Sequence, residues 1–465
     1  MTGLFRKKII TAQAPHQALA RTLGWPHLVA LGVGAIVGTG ILTLIGVGAD
    51  RAGPAVLLSF VVAGAICACA ALCYAEMATS IPASGSAYTY SYAVLGEVIA
   101  WVVGWSLILE YSLVVSTVAV GWSGYAVGFL KGLRIAVPAA LANGPALGGV
   151  INLPAVLIIG VVAGLLMLGT RESARINTAL VVLKITTLAL FVFVALPHFD
   201  AANFQPFAPN GYGSTAGAGG AKYGMMGAAA IIFFAFYGFD AISAAAEEAK
   251  NPDRDLAIGI VGSMLACTVI YLVVAAVAIG ALPVAQFAKS AEPLALILRS
   301  VGQGKVATIV AAAAAIALPT VLLAFLYGQS RIFLVMARDG FLPPALARVS
   351  ARGTPARITA LTAVLVAVVA GVMPLAEIAA LANAGTLCAF VAVAACVLVR
   401  RRQAPDAPRP FRTPLAWLVA PAAILGCLYL FTSLSTTTQL SFFVWNGVGL
   451  AIYLLYARPR ALIAR

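Results

Sequence analysis

Apolar residues run in long blocks along this chain, separated by short polar stretches, and the blocks are too long for strands. A helix that crosses a bilayer needs about 20 mostly apolar residues. By that rule twelve blocks read as spanning helices: residues 27–49, 55–78, 97–126, 152–170, 177–197, 223–246, 257–281, 305–335, 358–374, 378–399, 415–433 and 440–457. We number them spans 1 to 12. The segment 82–96 (PASGSAYTYSYAVLG) is too polar to span and reads as a short connector lying along the membrane surface. The pattern predicts an all-α polytopic membrane protein, with its longer spans tilted or protruding.

The blocks are not alike. Span 1 holds Gly32, Gly34, Gly38, Gly40, Gly46 and Gly48, and span 6 holds Gly224, Gly227 and Gly238 around the sequence FAFYGFD. Most other spans are smoother runs of Ala, Val and Leu. Spans 1 and 6 are five apart, so a fold made of two five-helix halves puts them in equivalent places. Glycine-interrupted helices at matching positions of two halves point to a transporter's binding site. The alternative is that small residues only let helices approach closely, which fits Gly32, Gly46 and Gly48 better. Gly38, Thr39 and Gly40 fit an unwound stretch, because two glycines flanking a hydroxyl expose backbone N–H groups.

Composition supports a membrane solvent. Of 465 residues, 62% are hydrophobic and 9% charged, and mean hydropathy is +1.02; soluble domains carry about 25% charged residues. The net charge of +14 suggests nucleic acid until its placement is read. With a cytoplasmic N-terminus, the cytoplasmic segments hold 21 Lys and Arg and the outside segments seven, counting Arg331 with the segment after span 8. Lys184 remains, inside span 5. That bias is the positive-inside pattern. It predicts a multi-pass protein of the inner (plasma) membrane with both termini cytoplasmic and no nucleic-acid partner. The seven cysteines all lie in apolar runs, which disfavours a disulfide framework. Cys69 and Cys73 share a helix face, but no further ligand completes a metal set. The basic N-terminus lacks the long apolar run and small-residue cleavage site of a signal peptide.

The chemistry lies in the breaks and in the charges at depth. An unwound helix centre strands N–H groups on one side and carbonyls on the other, and each costs several kcal/mol in hydrocarbon unless satisfied. A zwitterion satisfies both. Its carboxylate suits the N–H groups and positive helix end at Ile36 to Ile41, and its ammonium suits carbonyls around Phe234, Ala235 and Tyr237. Lys184 reads either as a lysine snorkelling to the membrane edge or as a fixed ammonium that replaces a sodium ion and exchanges protons. Glu110, deep in span 3, is either a structural link between helices or a group for proton coupling or substrate contact. Asp240 follows the span 6 break and is placed to cap the second half-helix. Glu247 and Glu248 read as a solvated helix end or a gate, and Glu76 has the same two readings. No constellation for covalent catalysis and no phosphate-binding loop is present, so the chain is not expected to be an enzyme, to need a cofactor or to use ATP.

The stretches LGVGAIVGTGI (Leu31 to Ile41), LCYAEMATSIPASGSAYTYSYAVLGE (Leu72 to Glu97), FFAFYGFDAISAAAEEAKNPDRDLAIGI (Phe233 to Ile260) and YGQSRIFLVMARDGFLP (Tyr327 to Pro343) resemble the bacterial members of the cationic amino acid transporter group, in the amino acid–polyamine–organocation superfamily. The resemblance covers nearly the whole chain. It implies a LeuT-like transport core over residues 27–399, made of inverted repeats 27–197 and 223–399. Residues 1–26 precede the core, spans 11 and 12 (400–457) are appended, and 458–465 form a tail. It implies alternating access around broken spans 1 and 6, with Ile36, Thr39 and Gly40 on the carboxylate side and Phe234, Ala235 and Tyr237 on the ammonium side. Lys184 matches the group's span 5 lysine, which implies coupling to protons.

Group members carry cationic or small neutral amino acids. Thr320, Val321 and Phe325 of span 8 should close the side-chain pocket, and the bulk of Phe325 favours small neutral substrates such as alanine. Pro319 departs from the expected pattern and is placed to kink span 8. Transport of arginine or lysine, or amino acid/polyamine exchange, is the alternative on the same fold. An intramembrane enzyme would need a catalytic set at depth, and none is visible; broken helices around a closed midplane site suit alternating access better than the continuous pore of a passive channel.

Overall fold

The computed structural model describes residues 6–8, 23–82, 85–168, 174–217, 220–244, 249–347 and 355–460. Seven apolar helices there are long enough to cross a bilayer, the first of them running from the end of span 1 through span 2. Five shorter apolar helices, Trp25–Ile36, Leu153–Leu168, Met225–Ala235, Ala356–Val372 and Ala416–Thr432, fall in spans 1, 4, 6, 9 and 11. A two-residue hairpin, Thr215–Ala216 against Lys222–Tyr223, decorates the connection between spans 5 and 6.

The sequence explains which helices sit inside. Span 3 (Glu97–Gly132) and span 10 (Leu375–Gln403) carry small and polar residues on several faces, and most of their length is buried. Span 11 is apolar on all its faces and span 12 on its outward one, and they expose Leu428, Leu440 and Phe443 outward. In water such a surface would drive association; facing lipid, it is the expected boundary.

Packing between the first ten spans is reciprocal. Span 2 packs on span 7, span 3 on span 8 and span 4 on span 9. Spans 1 and 7 pack together, as do 6 and 2; spans 1 and 5 do, as do 6 and 10; spans 4 and 8 do, as do 9 and 3. Raising or lowering each number by five exchanges one member of each couple for the other. Span 11 lies against spans 2 and 10, and span 12 against spans 3 and 10.

Two expectations change. The connector after span 2 forms a helix, Ser86–Val94, with Ser86, Tyr88, Tyr90 and Tyr92 buried rather than lying on the membrane surface. Its aromatic rings are the reason: Tyr92 stacks on Phe341 and Tyr74 meets Tyr90 edge-on, so the segment is polar at its tips and apolar in its bodies. Arg331, counted with the loop after span 8, lies inside the helix Pro319–Arg338 with its guanidinium 4.2 Å from the Tyr327 ring centroid. Glu247 and Glu248 lie outside the described residues.

Candidate functional site: two apposed helix breaks

Span 1 is helical over Trp25–Ile36, leaves the helical conformation at Val37 and Gly38, and resumes at Thr39. Span 6 is helical over Met225–Ile232, tightens through Phe233–Ala235, and starts again at Asp240. Glycine makes the breaks meet. A Cβ on Gly40 would overlap the backbone of Ala235, and one on Gly238 would fall 2.9 Å from the Ala35 carbonyl carbon. Gly238 also has φ +124°, a conformation that side-chain-bearing residues avoid. Around Gly38 there is more room: a Cβ would come no closer than 3.4 Å, to Val321 of span 8.

The carbonyls released by these breaks are met by side chains from other spans. Lys184 Nζ donates to the Gly34 carbonyl at 2.7 Å, and Tyr271 Oη to the Ile36 carbonyl at 2.7 Å. Tyr125 donates to the Leu42 carbonyl at 2.6 Å. On span 6, Asn383 Nδ2 donates to the Ala230 carbonyl at 2.7 Å and lies 3.3 Å from that of Ile231. Asp240 accepts the Gly238 N–H at 3.1 Å and the Tyr111 hydroxyl at 3.0 Å. Each bond meets a group that hydrocarbon would leave bare.

Lys184 is 4% exposed and borders a small cavity between spans 1, 5 and 8, whose walls include Val37, Leu42, Thr187, Ala314 and Leu318. A second polar group lies across the bundle. Glu110 and Asp240 act electrostatically on each other and on Tyr111 and Tyr237, and Thr386 lies beside Glu110 and Tyr237. Glu110 is 1% exposed, and neither its Oε2 nor the Tyr237 hydroxyl closes a hydrogen bond among the described residues. The Thr39 hydroxyl, buried at the break, is likewise open.

A family model described as amino acid permease matches residues 23–456. The chain belongs to the amino acid permease family. A branched-chain amino acid permease, BcaP, of Bacillus subtilis (strain 168) is 46% identical over 99% of this chain and 98% of its own length. A methylthioribose transporter of the same organism is 41% identical over the full length of both. The vacuolar cationic amino acid transporter 4 of Arabidopsis thaliana is 36% identical over 87% of this chain and 68% of its own. The permease is therefore a multi-pass membrane protein for amino acid transport, with permeases and transporters rather than enzymes as its relatives.

In the permease, Ile36, Thr39, Gly40, Phe234, Ala235 and Tyr237 gather at the apposed breaks and are all buried. Phe234 lies 4.9 Å from the Tyr237 ring, centroid to centroid. Phe325 packs on Tyr111 at 5.2 Å, which carries it to the partner of Asp240. Thr320 turns its hydroxyl back to the Ala317 carbonyl of the preceding segment of its own span. Span 8 is split at Leu318, between Gly304–Ala317 and Pro319–Arg338, because proline has no N–H to continue the ladder. Glu76 is an inward ion pair rather than a solvated end, bidentate to Arg401 at 2.6 and 3.0 Å. Tyr111, Tyr271, Asn383 and Thr386 escaped the sequence reading. The signal was available for Asn383, a primary amide in the middle of an apolar span.

Proposed function

We infer that the permease is a secondary carrier that takes up neutral L-amino acids with protons, by alternating access. The observation that carries the reading is the apposition of two broken helices, with a buried lysine bonded to a carbonyl of one of them. The first N–H groups after Gly38 begin a helix and have no intrahelical acceptor, which suits a carboxylate. The open backbone at Phe234 to Tyr237 suits an ammonium. A zwitterion is thereby held without a charged side chain.

Phe325, braced on Tyr111, limits the space left for the side chain. That favours apolar side chains, from alanine upward in size to the branched-chain class that one relative's name specifies. Protonated Lys184 ties span 5 to span 1 through a charge-assisted bond to Gly34; deprotonated, its amine still has N–H groups but donates much more weakly, so the proton biases a two-state element. The reciprocal packing supports two five-helix repeats, 27–197 and 223–399, as the moving parts, with 400–457 appended. The excess of basic residues on one set of loops favours a plasma-membrane orientation with cytoplasmic termini.

A cationic side chain is the second reading, favoured by the open Oε2 of buried Glu110. Uptake of labelled alanine, valine, leucine, arginine and lysine into proteoliposomes, with and without an imposed pH gradient, separates the two. Gradient-driven uptake of the neutral set supports the first. Uptake of arginine alone, or uptake indifferent to pH, sinks it.

A further inference from the structure

We propose that the connection between spans 10 and 11 is a binding site for the phosphate headgroup of an anionic phospholipid. Residues 400–412 hold Arg400, Arg401, Arg402, Arg409 and Arg412 with a single acid, Asp406. Two of these arginines are occupied internally. Arg401 forms the fork with Glu76, and Arg409 folds back on the carbonyls of Pro405, Ala407 and Ala404 at 2.7, 2.9 and 2.5 Å. Thr413 closes the loop against span 2, its N–H reaching Glu76 at 2.8 Å and its hydroxyl the Leu72 carbonyl at 2.9 Å. The loop is thus a built surface.

The other three arginines have no such employment. Arg402 and Arg412 are exposed and form no ion pair among the described residues, and the buried Nε of Arg400 has no hydrogen-bond partner there. Apolar groups crowd against them. The Arg402 guanidinium lies 5.2 Å from the Trp417 ring centroid, and Leu415, Trp417 and Leu418 are 76%, 54% and 66% exposed. Tryptophan at the end of a spanning helix sits at headgroup depth, so this contact fixes a guanidinium at the level of lipid phosphates. Excess positive charge on exposed guanidinium groups and flanking surface for acyl chains are what an anionic lipid complements. Each exposed arginine should favour such a lipid about fivefold.

The test uses the full chain in vesicles of one composition, phosphatidylcholine with a minority of phosphatidylglycerol, with bromine on the chains of one lipid or the other. Trp417 emission is isolated as the difference between the unmodified protein and Trp417→Phe. Stronger quenching from brominated phosphatidylglycerol than from an equal fraction of brominated phosphatidylcholine is expected. Arg402→Gln combined with Arg412→Gln should bring the two to parity while leaving melting in pure phosphatidylcholine unchanged. Equal quenching in the unmodified protein overturns the proposal, whatever the variant does, and leaves the arginines to an acidic protein segment. Loss of the preference on adding inorganic phosphate at constant ionic strength also overturns it, by making the site one for a small anion.

Discussion

In span 1 the break is held from outside by Tyr271 and Lys184, one neutral donor and one group that can lose its proton. In span 6 it is held by Asp240, two residues beyond Gly238 in the same span, and by the amide of Asn383. Both breaks solve the same problem of bare backbone in a dry interior, and only one solution contains a basic group that can change state. On the proton-switch reading proposed above, the span 1 break is the one that changes its partners and moves, and the span 6 break is the one that keeps them and stays fixed. Tyr111, which bonds Asp240 and packs at a tilt on Phe325, extends the fixed side to span 8.

The comparison breaks most completely where the two spans touch. Gly40→Val puts branched bulk into the backbone of Ala235, and neither helix can shift without losing the other break. Substrate uptake should disappear. Gly38→Ala, two residues away, meets nothing closer than the tip of Val321 at 3.4 Å and should retain most transport. Uptake measured on both variants at equal surface expression decides the point, and equal loss in both would mean that Gly40 is not where the halves engage.

Lys184 sharpens the contrast between mobile and fixed. Lys184→Ala removes the donor to Gly34 and should abolish accumulation against a gradient, while binding by backbone groups persists. Lys184→Arg keeps a charge that is not readily lost and should also fail to accumulate substrate. Uptake driven by an imposed pH gradient, beside a binding assay on the same preparations, is the measurement. Normal accumulation by Lys184→Ala would make it an edge lysine.

The twelve spans and the two breaks were legible because hydropathy and glycine are local signals. Gly38 to Gly40 and FAFYGFD mark the breaks without any knowledge of what they face. What repairs the breaks was not legible. Tyr271 and Asn383 lie far along the chain from Ile36 and Ala230, and nothing local to a tyrosine in an apolar span says which carbonyl it meets. The burial of Ser86–Val94 was missed for a related reason: hydropathy weighs whole residues, whereas a tyrosine buries its ring and keeps one polar tip.

Phe325→Ser tests how far the fixed side sets selectivity. Removing the ring from Tyr111 enlarges the space beside the breaks, and one bulky apolar group is worth roughly 1–3 kcal/mol of discrimination. Competition against labelled alanine should shift toward larger or cationic amino acids by about tenfold or more. An unchanged profile places the side-chain pocket elsewhere.

The smallest expected effect compares the two neutral caps. Tyr271→Phe deletes one hydroxyl and leaves the Ile36 carbonyl, at the open end of a half-helix, without a side-chain donor among the described residues. A buried acceptor left unmet costs about 1–3 kcal/mol. Asn383→Ala removes a donor from Ala230 and Ile231, whose carbonyls lie in the last turn of Met225–Ile232 beside the tightened residues that follow. Those carbonyls have nearby N–H groups to turn to, whereas Ile36 has only the gap at Val37 and Gly38. Tyr271→Phe should therefore lower the melting temperature of the purified permease more than Asn383→Ala does, although it removes far less of the side chain. Saturating substrate should recover part of the Tyr271→Phe deficit, since a ligand that binds the folded state stabilises it. Asn383→Ala melting as low as or lower than Tyr271→Phe would show that span 6 depends on its outside donor as much as span 1 does, and would remove the distinction between a moving break and a fixed one.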